Sequence, residues 1–235
     1  MASEKIGIIV CGNSGVDYMK LDYPVKMIRS TLNLDGKEYE DFVDIKAEEF
    51  YEKIVNNPEM DVSTSQTSTG KIASVYEEMK EEGYTDVLAI VISSKLSGTF
   101  QGAVLAKDLV QGINVYVVDS RSVSYGEAYL VLEAIKMIKE NKKMVEIIDR
   151  LEKIRDNVYI YVLVDTLKYL VKNGRLSAAS GFLGTLLKIK PLLHVQKDGS
   201  LVPFEKIRTT SKAQARLIEV IENDIKDKRV IMFIA

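Results

Sequence analysis

The sequence predicts an α/β protein of two domains. The N-terminal domain, residues 1–155, is expected to hold a parallel sheet flanked by helices. The C-terminal domain, residues 156–235, is expected to hold a mixed sheet and to be incomplete. Three observations lead there. Short apolar runs alternate with segments of helical periodicity through the first half, which is the pattern of βα units. The run Asp86–Ile92 is continuously apolar after its first residue, as in a strand covered on both faces. The 235 residues, at roughly 150 per domain, correspond to one large domain or two small ones.

In chain order, Ile6–Val10 reads as a buried strand. Asp35-Gly36 is a hairpin turn between Met27–Leu34 and Lys37–Tyr39. Asp44 is placed to cap a helix over Ala47–Val55, with Phe50, Tyr51 and Ile54 on one face. Asn57–Thr69 reads as a polar loop, followed by a helix with Ile72, Val75, Tyr76 and Met79 at helical spacing. After the strand at Asp86–Ile92, Ser97-Gly98-Thr99 opens a helix carrying Phe100, Val104 and Leu105. Ile113–Val118 is the next strand, and Gly126–Ile138 and Val145–Ile154 are helical.

In the second half, Val158–Val164 reads as a strand and Leu167–Val171 as a short helix ended by Asn173-Gly174. Ser177–Leu187 is a second helix with an apolar face. Leu192–Val195 and Leu201–Phe204 flank a hairpin signal, Lys197-Asp198-Gly199-Ser200. Lys212–Ile225 is a helix with Ala213, Ala215, Leu217 and Val220 available for packing. Arg229–Ala235 reads as a strand on which the text stops, so the chain is expected to be part of a longer protein.

Composition narrows the chemistry. With 32 Lys plus Arg against 34 Asp plus Glu, the net charge is −2 and no basic nucleic-acid surface is expected. The apolar run Val87–Ile92 is six residues, far short of a bilayer span, so no stable membrane insertion is expected. The N-terminus lacks the long apolar stretch of a secretory signal, and the natural expectation is a cytoplasmic protein. One cysteine, Cys11, excludes an internal disulfide, and one histidine, His194, cannot build a His/Cys metal site with it. There is no Gly-x-Ser-x-Gly elbow and no Gly-x-Gly-x-x-Gly, and Gly70-Lys71 is followed by Ile72 where a P-loop needs Ser or Thr. Cys11 and His194 are read as structural, at a strand end and in an apolar strand.

Two segments remain as candidates for binding. Ser63-Thr64-Ser65-Gln66-Thr67-Ser68-Thr69-Gly70 carries six hydroxyls in eight residues before a helix. Ser93-Ser94-Lys95-Leu96-Ser97-Gly98-Thr99 directly follows a buried strand. Either reads as helix N-caps when taken alone. In a parallel sheet, however, ligands sit beyond the carboxyl ends of strands, where backbone N–H groups and hydroxyls bind small anions. Neither segment holds a histidine or a carboxylate, so no general base is offered and holding an anionic head is favoured over breaking bonds.

At these residues the sequence resembles the DegV family of bacterial fatty-acid-binding proteins. The matching text is Thr64-Ser65-Gln66, Ile92-Ser93-Ser94-Lys95-Leu96-Ser97-Gly98-Thr99-Phe100-Gln101 and Val117-Val118-Asp119-Ser120. Further matches are Asn173-Gly174-Arg175-Leu176-Ser177, Leu187-Lys188-Ile189-Lys190-Pro191 and Lys206-Ile207-Arg208-Thr209. The resemblance implies a two-domain α/β protein, not itself an enzyme and without a cofactor, that buries a long-chain fatty acid. It implies that Thr64 and a serine, Ser97 or Ser94, hold the carboxylate, and, as in some members, that a separate fatty-acid kinase is the partner; Arg175 reads either as an exposed arginine on a turn or, with the resemblance, as a contact for that kinase or for an acyl-phosphate group. Two departures stand out. Where members carry Thr-Asp-Ser-Thr after the first strand, this chain has Cys11-Gly12-Asn13-Ser14-Gly15, and a later His-x-Gly-Pro-Gly stretch is absent. Residue chemistry alone leaves two rivals: an enzyme or sensor for a small phosphorylated ligand, with Asp119 able to hold a metal, and a protein–protein adaptor.

Overall fold

The computed structural model describes residues 4–176 and 190–234. The chain divides into two compact units, Met1–Val158 and Tyr159–Ala235. The first is built on four parallel strands, β1 (Ile6–Cys11), β2 (Val25–Ile28), β6 (Asp86–Val91) and β7 (Asn114–Asp119), in the order β2-β1-β6-β7. β1 and β6 are buried along their whole length, as the apolar runs require of central parallel strands. Their side chains divide by alternation. Ile6, Ile8, Val10, Leu88 and Ile90 pack on one face against α4 (Tyr125–Lys139) and α5 (Met144–Arg155). Ile9, Cys11, Val87, Ala89 and Val91 pack on the other against α2 (Thr69–Glu81) and α3 (Thr99–Lys107). Tyr76 of α2 is fully buried and donates its hydroxyl to the Ala103 carbonyl of α3 at 3.2 Å.

The helix α3 buries its small residues, and of the expected apolar set Phe100 packs against the same core cluster. Gly102, Ala103 and Ala106 are buried, Phe100 and Val104 are half-buried and Leu105 is exposed. The small residues let the backbones of α2 and α3 approach, so side-chain size outranks hydrophobicity here.

The expected single strand Met27–Leu34 is two strands in two sheets. β2 ends at Ile28, and β3 (Thr31–Leu34) opens a small antiparallel sheet of order β4-β3-β5, with β4 (Lys37–Glu40) and β5 (Val62–Ser65). The Asp35-Gly36 turn is as expected, with Leu34 opposite Lys37 and both turn residues at positive φ, 49° and 83°. β5 lies inside the segment expected to be a polar loop. Only its Val62 is buried, so its sequence shows no apolar alternation. α1 (Ala47–Asn56) follows β4, but Asp44 does not cap it: the Asp44 carboxylate accepts from the Glu40 N–H at 2.7 Å.

In the second unit, β8 (Ile160–Leu163), β9 (Lys190–Val195) and β10 (Leu201–Ile207) form an antiparallel sheet in the order β10-β9-β8, where a mixed sheet was expected. α6 (Lys168–Lys172) ends at Asn173 and Gly174, the latter at φ 74°. α7 (Thr210–Ile225) is capped by the Thr209 hydroxyl and buries Ala213 and Val220, whereas Ala215 is exposed. The expected helix Ser177–Leu187 lies outside the described residues. Arg229–Ile234 forms no strand among the described residues, contrary to expectation, and Val230 to Ile234 are exposed. Among the described residues, no helix is long and apolar enough to cross a membrane.

Candidate functional site

The carboxyl ends of β1, β6 and β7 form one edge of the parallel sheet, and the polar turns that leave them lie side by side. The turn after β6 is tied by the buried Ser93, whose carbonyl accepts from the N–H groups of Leu96 and Ser97 at 2.9 and 3.1 Å. Ser93 N–H donates to the Ser122 carbonyl at 2.9 Å, which joins this turn to the one after β7. Ser94 is exposed, and its N–H donates to Asp119 Oδ1 at 3.2 Å. Arg121 N–H donates to the same oxygen at 2.9 Å. A carboxylate therefore does reach the serine turn, from the end of β7, although neither hydroxyl-rich segment contains one. It is engaged in holding two backbone N–H groups.

Ser97 is half-buried, and Gly98, not Ser97, is the N-cap residue of α3. The Ser97 hydroxyl accepts from Thr99 N–H at 3.3 Å and pairs with Thr99 Oγ1 at 2.9 Å. It thus closes the entry to the helix one residue earlier than a cap would.

Thr64 lies in β5 opposite Leu32 and is exposed. Two contacts carry the segment after it onto the main sheet. The buried Thr67 donates its hydroxyl to the Arg29 carbonyl at 2.7 Å. Gln66 seats its carboxamide on Gly98: a β-carbon on Gly98 would overlap Gln66 Oε1 and lie 3.0 Å from its Cδ. Ser68 then caps α2, accepting from Lys71 N–H at 3.3 Å. The two hydroxyl-rich segments are therefore brought together, through Gln66 and Gly98, at the carboxyl edge of the sheet. Gly98 fits here because of its missing side chain and not because of its backbone, whose φ is −73°.

The turn after β1 has a different anchor. Glu127, in the first turn of α4, is fully buried behind Cys11 and Asn13. Cys11 N–H donates to its Oε1 at 3.2 Å and Asn13 Nδ2 to its Oε2 at 3.3 Å. Burial pushes the Glu127 carboxyl up to about 8. Burial and the neighbouring Glu127 also hold the Cys11 thiol well above its usual range, so Cys11 is a packed, protonated thiol as expected. Nearby, Arg29 forms a two-armed pair with Asp17, at 2.6 and 2.9 Å, and its side chain lies over Gly12. Sequence reasoning missed both Glu127 and this pair. The signal for Glu127 was its place three and four residues before Leu130 and Val131, a charge on the apolar stripe of its helix.

Arg175 belongs to the second unit. It is half-buried just after α6, and its guanidinium donates to the Asn173 carbonyl at 2.6 Å. Among the described residues, no three His, Cys, Asp or Glu side chains are grouped to hold a metal ion.

The whole described chain falls within one family. Residues 5–234 match the family model described as "Uncharacterised protein, DegV family". This protein belongs to the DegV family. A DegV domain-containing protein of Clostridium acetobutylicum is 35% identical over 227 residues, covering 96% of this chain and 80% of that one. Solved structures agree in fold. The Bacillus subtilis DegV, described as a fatty acid binding protein, matches at TM-score 0.85 and 32% identity, covering 96% of this chain and 79% of that one. A fatty acid binding DegV family protein of Streptococcus agalactiae matches at TM-score 0.87 and 27% identity, with 96% and 80% covered.

Proposed function

We propose that this protein binds a long-chain fatty acid, with the carboxylate held by Thr64, Ser94 and Ser97, and presents it to a separate fatty-acid kinase that contacts Arg175. The observation that carries the reading is the seating of Gln66 on Gly98, which puts the two hydroxyl-rich segments at one place on the sheet edge. Family membership supports the ligand class: the Bacillus and Streptococcus relatives are described as binding fatty acids. The protein's part is to bind and orient, and the bond-making belongs to the partner. A rival that uses Asp119 to hold a metal for a phosphorylated ligand is disfavoured, because that carboxylate accepts from the Ser94 and Arg121 N–H groups.

The two ends of such a ligand divide the work. Burying a tail of ~16 carbons at ~0.8 kcal/mol per methylene contributes ~12 kcal/mol before the costs of association. Each hydrogen bond to the charged head adds roughly 1.5–3 kcal/mol. The tail sets affinity, and the hydroxyls set orientation and select an acid over an alcohol.

Native mass spectrometry of the purified protein tests the ligand, and the expected result is a bound long-chain fatty acid. Finding none, together with no binding of added oleate or palmitate, overturns the reading. Replacing Thr64 by Ala should weaken fatty-acid binding roughly tenfold and binding of the matching alcohol less. Arg175→Ala should keep lipid affinity and impair delivery to the kinase. Lost lipid affinity in that variant would place Arg175 in the pocket.

A further inference from the structure

One fully buried group has no part in the reading above. Glu127 meets Cys11 N–H and Asn13 Nδ2, and its burial is complete. The groups that act on it are the Cys11 thiol and backbone and the Asn13 carboxamide, none of them a cation. Arg29, whose side chain lies over Gly12 of the same turn, is paired with Asp17. An ionised carboxylate buried without a cation is costly, so the acid is held protonated at neutral pH, in keeping with its rise to about 8.

A protonated acid carries an O–H that must itself find an acceptor. Oε1 already accepts from the fixed Cys11 N–H, so the proton belongs on Oε2. The group facing Oε2 is the Asn13 carboxamide, whose two ends have the same shape. With Nδ2 towards Oε2, as the structure has it, the pair suits an ionised acid. With the amide turned over, Oδ1 accepts the acid proton and the NH2 end faces away from Glu127. Asn13 is half-buried in the 3-10 turn that leaves β1, and β1 pairs with β6, the strand that leads into the Ser93–Ser97 turn. An outward NH2 attracts a carboxylate there, and an outward Oδ1 repels it.

We infer that Asn13 is a further head-group determinant of the fatty-acid site, and that protonated Glu127 turns its carboxamide so that the NH2 end meets the ligand carboxylate. This rests on the fatty-acid reading. Glu127 itself is a positioning residue, acting through Asn13. The consequence is that a proton and a fatty acid bind together. Apparent affinity then scales with the fraction of protein in which Glu127 is protonated. With titration at about 8, that fraction falls from nearly all at pH 6 to about one tenth at pH 9, and affinity falls about tenfold.

The test uses laurate below its aggregation concentration, bound to the full chain and to Glu127→Gln across pH 6 to 9. A glutamine accepts from Cys11 N–H and donates from Nε2 to Asn13 Oδ1, so it fixes the outward NH2 at every pH. Dividing one affinity by the other at each pH cancels the titration of laurate. The two proteins are expected to bind alike at pH 6 and to differ about tenfold at pH 9, the variant tighter. A ratio that stays constant with pH overturns the inference. Asn13→Ala provides a second arm should the glutamine variant not fold: removing the carboxamide should weaken binding at pH 6 and abolish the pH dependence. An unchanged pH profile in that variant also overturns it. Absence of laurate binding by the wild type at pH 6 is a different failure, that of the fatty-acid reading, and takes this inference with it.

Discussion

Two neighbouring strand ends solve the same problem by opposite means. At the end of β6, most hydrogen bonds of Ser93, Ser97 and Thr99 run between neutral groups within a few residues, with Ser93 N–H reaching across to the Ser122 carbonyl. At the end of β1, the turn is held by Glu127, which is 116 residues from Cys11 in sequence and buried as an acid. The first arrangement is largely local, and the carboxylate that joins it, Asp119, is only half-buried. The second is long-range and carries a titrating group in the interior. A parallel sheet needs both, because its strand ends abut helices whose side chains come from distant sequence.

The difference is largest in the pH dependence of stability. The Glu127 carboxyl rises from an ordinary value of 4.5 to about 8 on folding. The folded state therefore binds the proton more tightly than the unfolded chain. Stability from the neutral acid is fully present below about 4.5, declines as pH rises, and is lost above about 8. At ~1.36 kcal/mol per pKa unit the decline is on the order of 5 kcal/mol. Denaturant midpoints of the wild type and Glu127→Gln at pH 5 and pH 8 check this. The wild type should lose stability relative to the variant between those values. Parallel behaviour would mean that the acid is solvated.

This contrast also explains what the sequence made legible. Periodicity and apolar runs placed β1, β6 and β7 and the helices α2, α4 and α5, because each buries a repeating set of side chains. Ser93–Thr99 was legible as a polar turn because its hydrogen bonds run between close neighbours. β5 was not, since one buried residue, Val62, leaves no pattern to read. Nor was the role of Gln66, which depends on Gly98 across 32 positions, or of Glu127, whose partners lie at the end of β1 and in the turn after it. What a single sequence hides is the pairing of distant polar groups, because it obeys no period.

A smaller effect tests whether the two hydroxyl-rich segments are joined by the Gln66 carboxamide. Gly98 has an ordinary φ of −73°, so Gly98→Ala adds a β-carbon without backbone strain. That carbon displaces the end of Gln66, which is exposed and able to swing away. The expected cost is roughly 1 kcal/mol. In a Gln66→Ala background the same substitution should cost nothing, and thermal denaturation of the four proteins of this cycle measures the coupling. Additive effects would show that the segments are positioned by other contacts, Thr67 to Arg29 foremost.

Within the β6 turn, Ser97 and Ser94 separate structure from binding. Ser97→Ala removes the acceptor of Thr99 N–H and the partner of Thr99 Oγ1, in a half-buried place. Stability without ligand should fall by roughly 0.5–1 kcal/mol. Ser94 is the cleaner probe and the smallest effect. Its side chain is exposed, and the contact that holds it, N–H to Asp119 Oδ1, belongs to the backbone and survives substitution. Ser94→Ala should therefore leave stability within about 0.5 kcal/mol of the wild type. Its hydroxyl is nevertheless one of the three proposed to meet the ligand, so fatty-acid affinity should fall roughly tenfold. A loss of affinity with no loss of stability requires a direct contact with the head group. Unchanged affinity in a protein of unchanged stability would leave the β6 turn as a structural element alone and move the carboxylate towards Thr64 and Asn13.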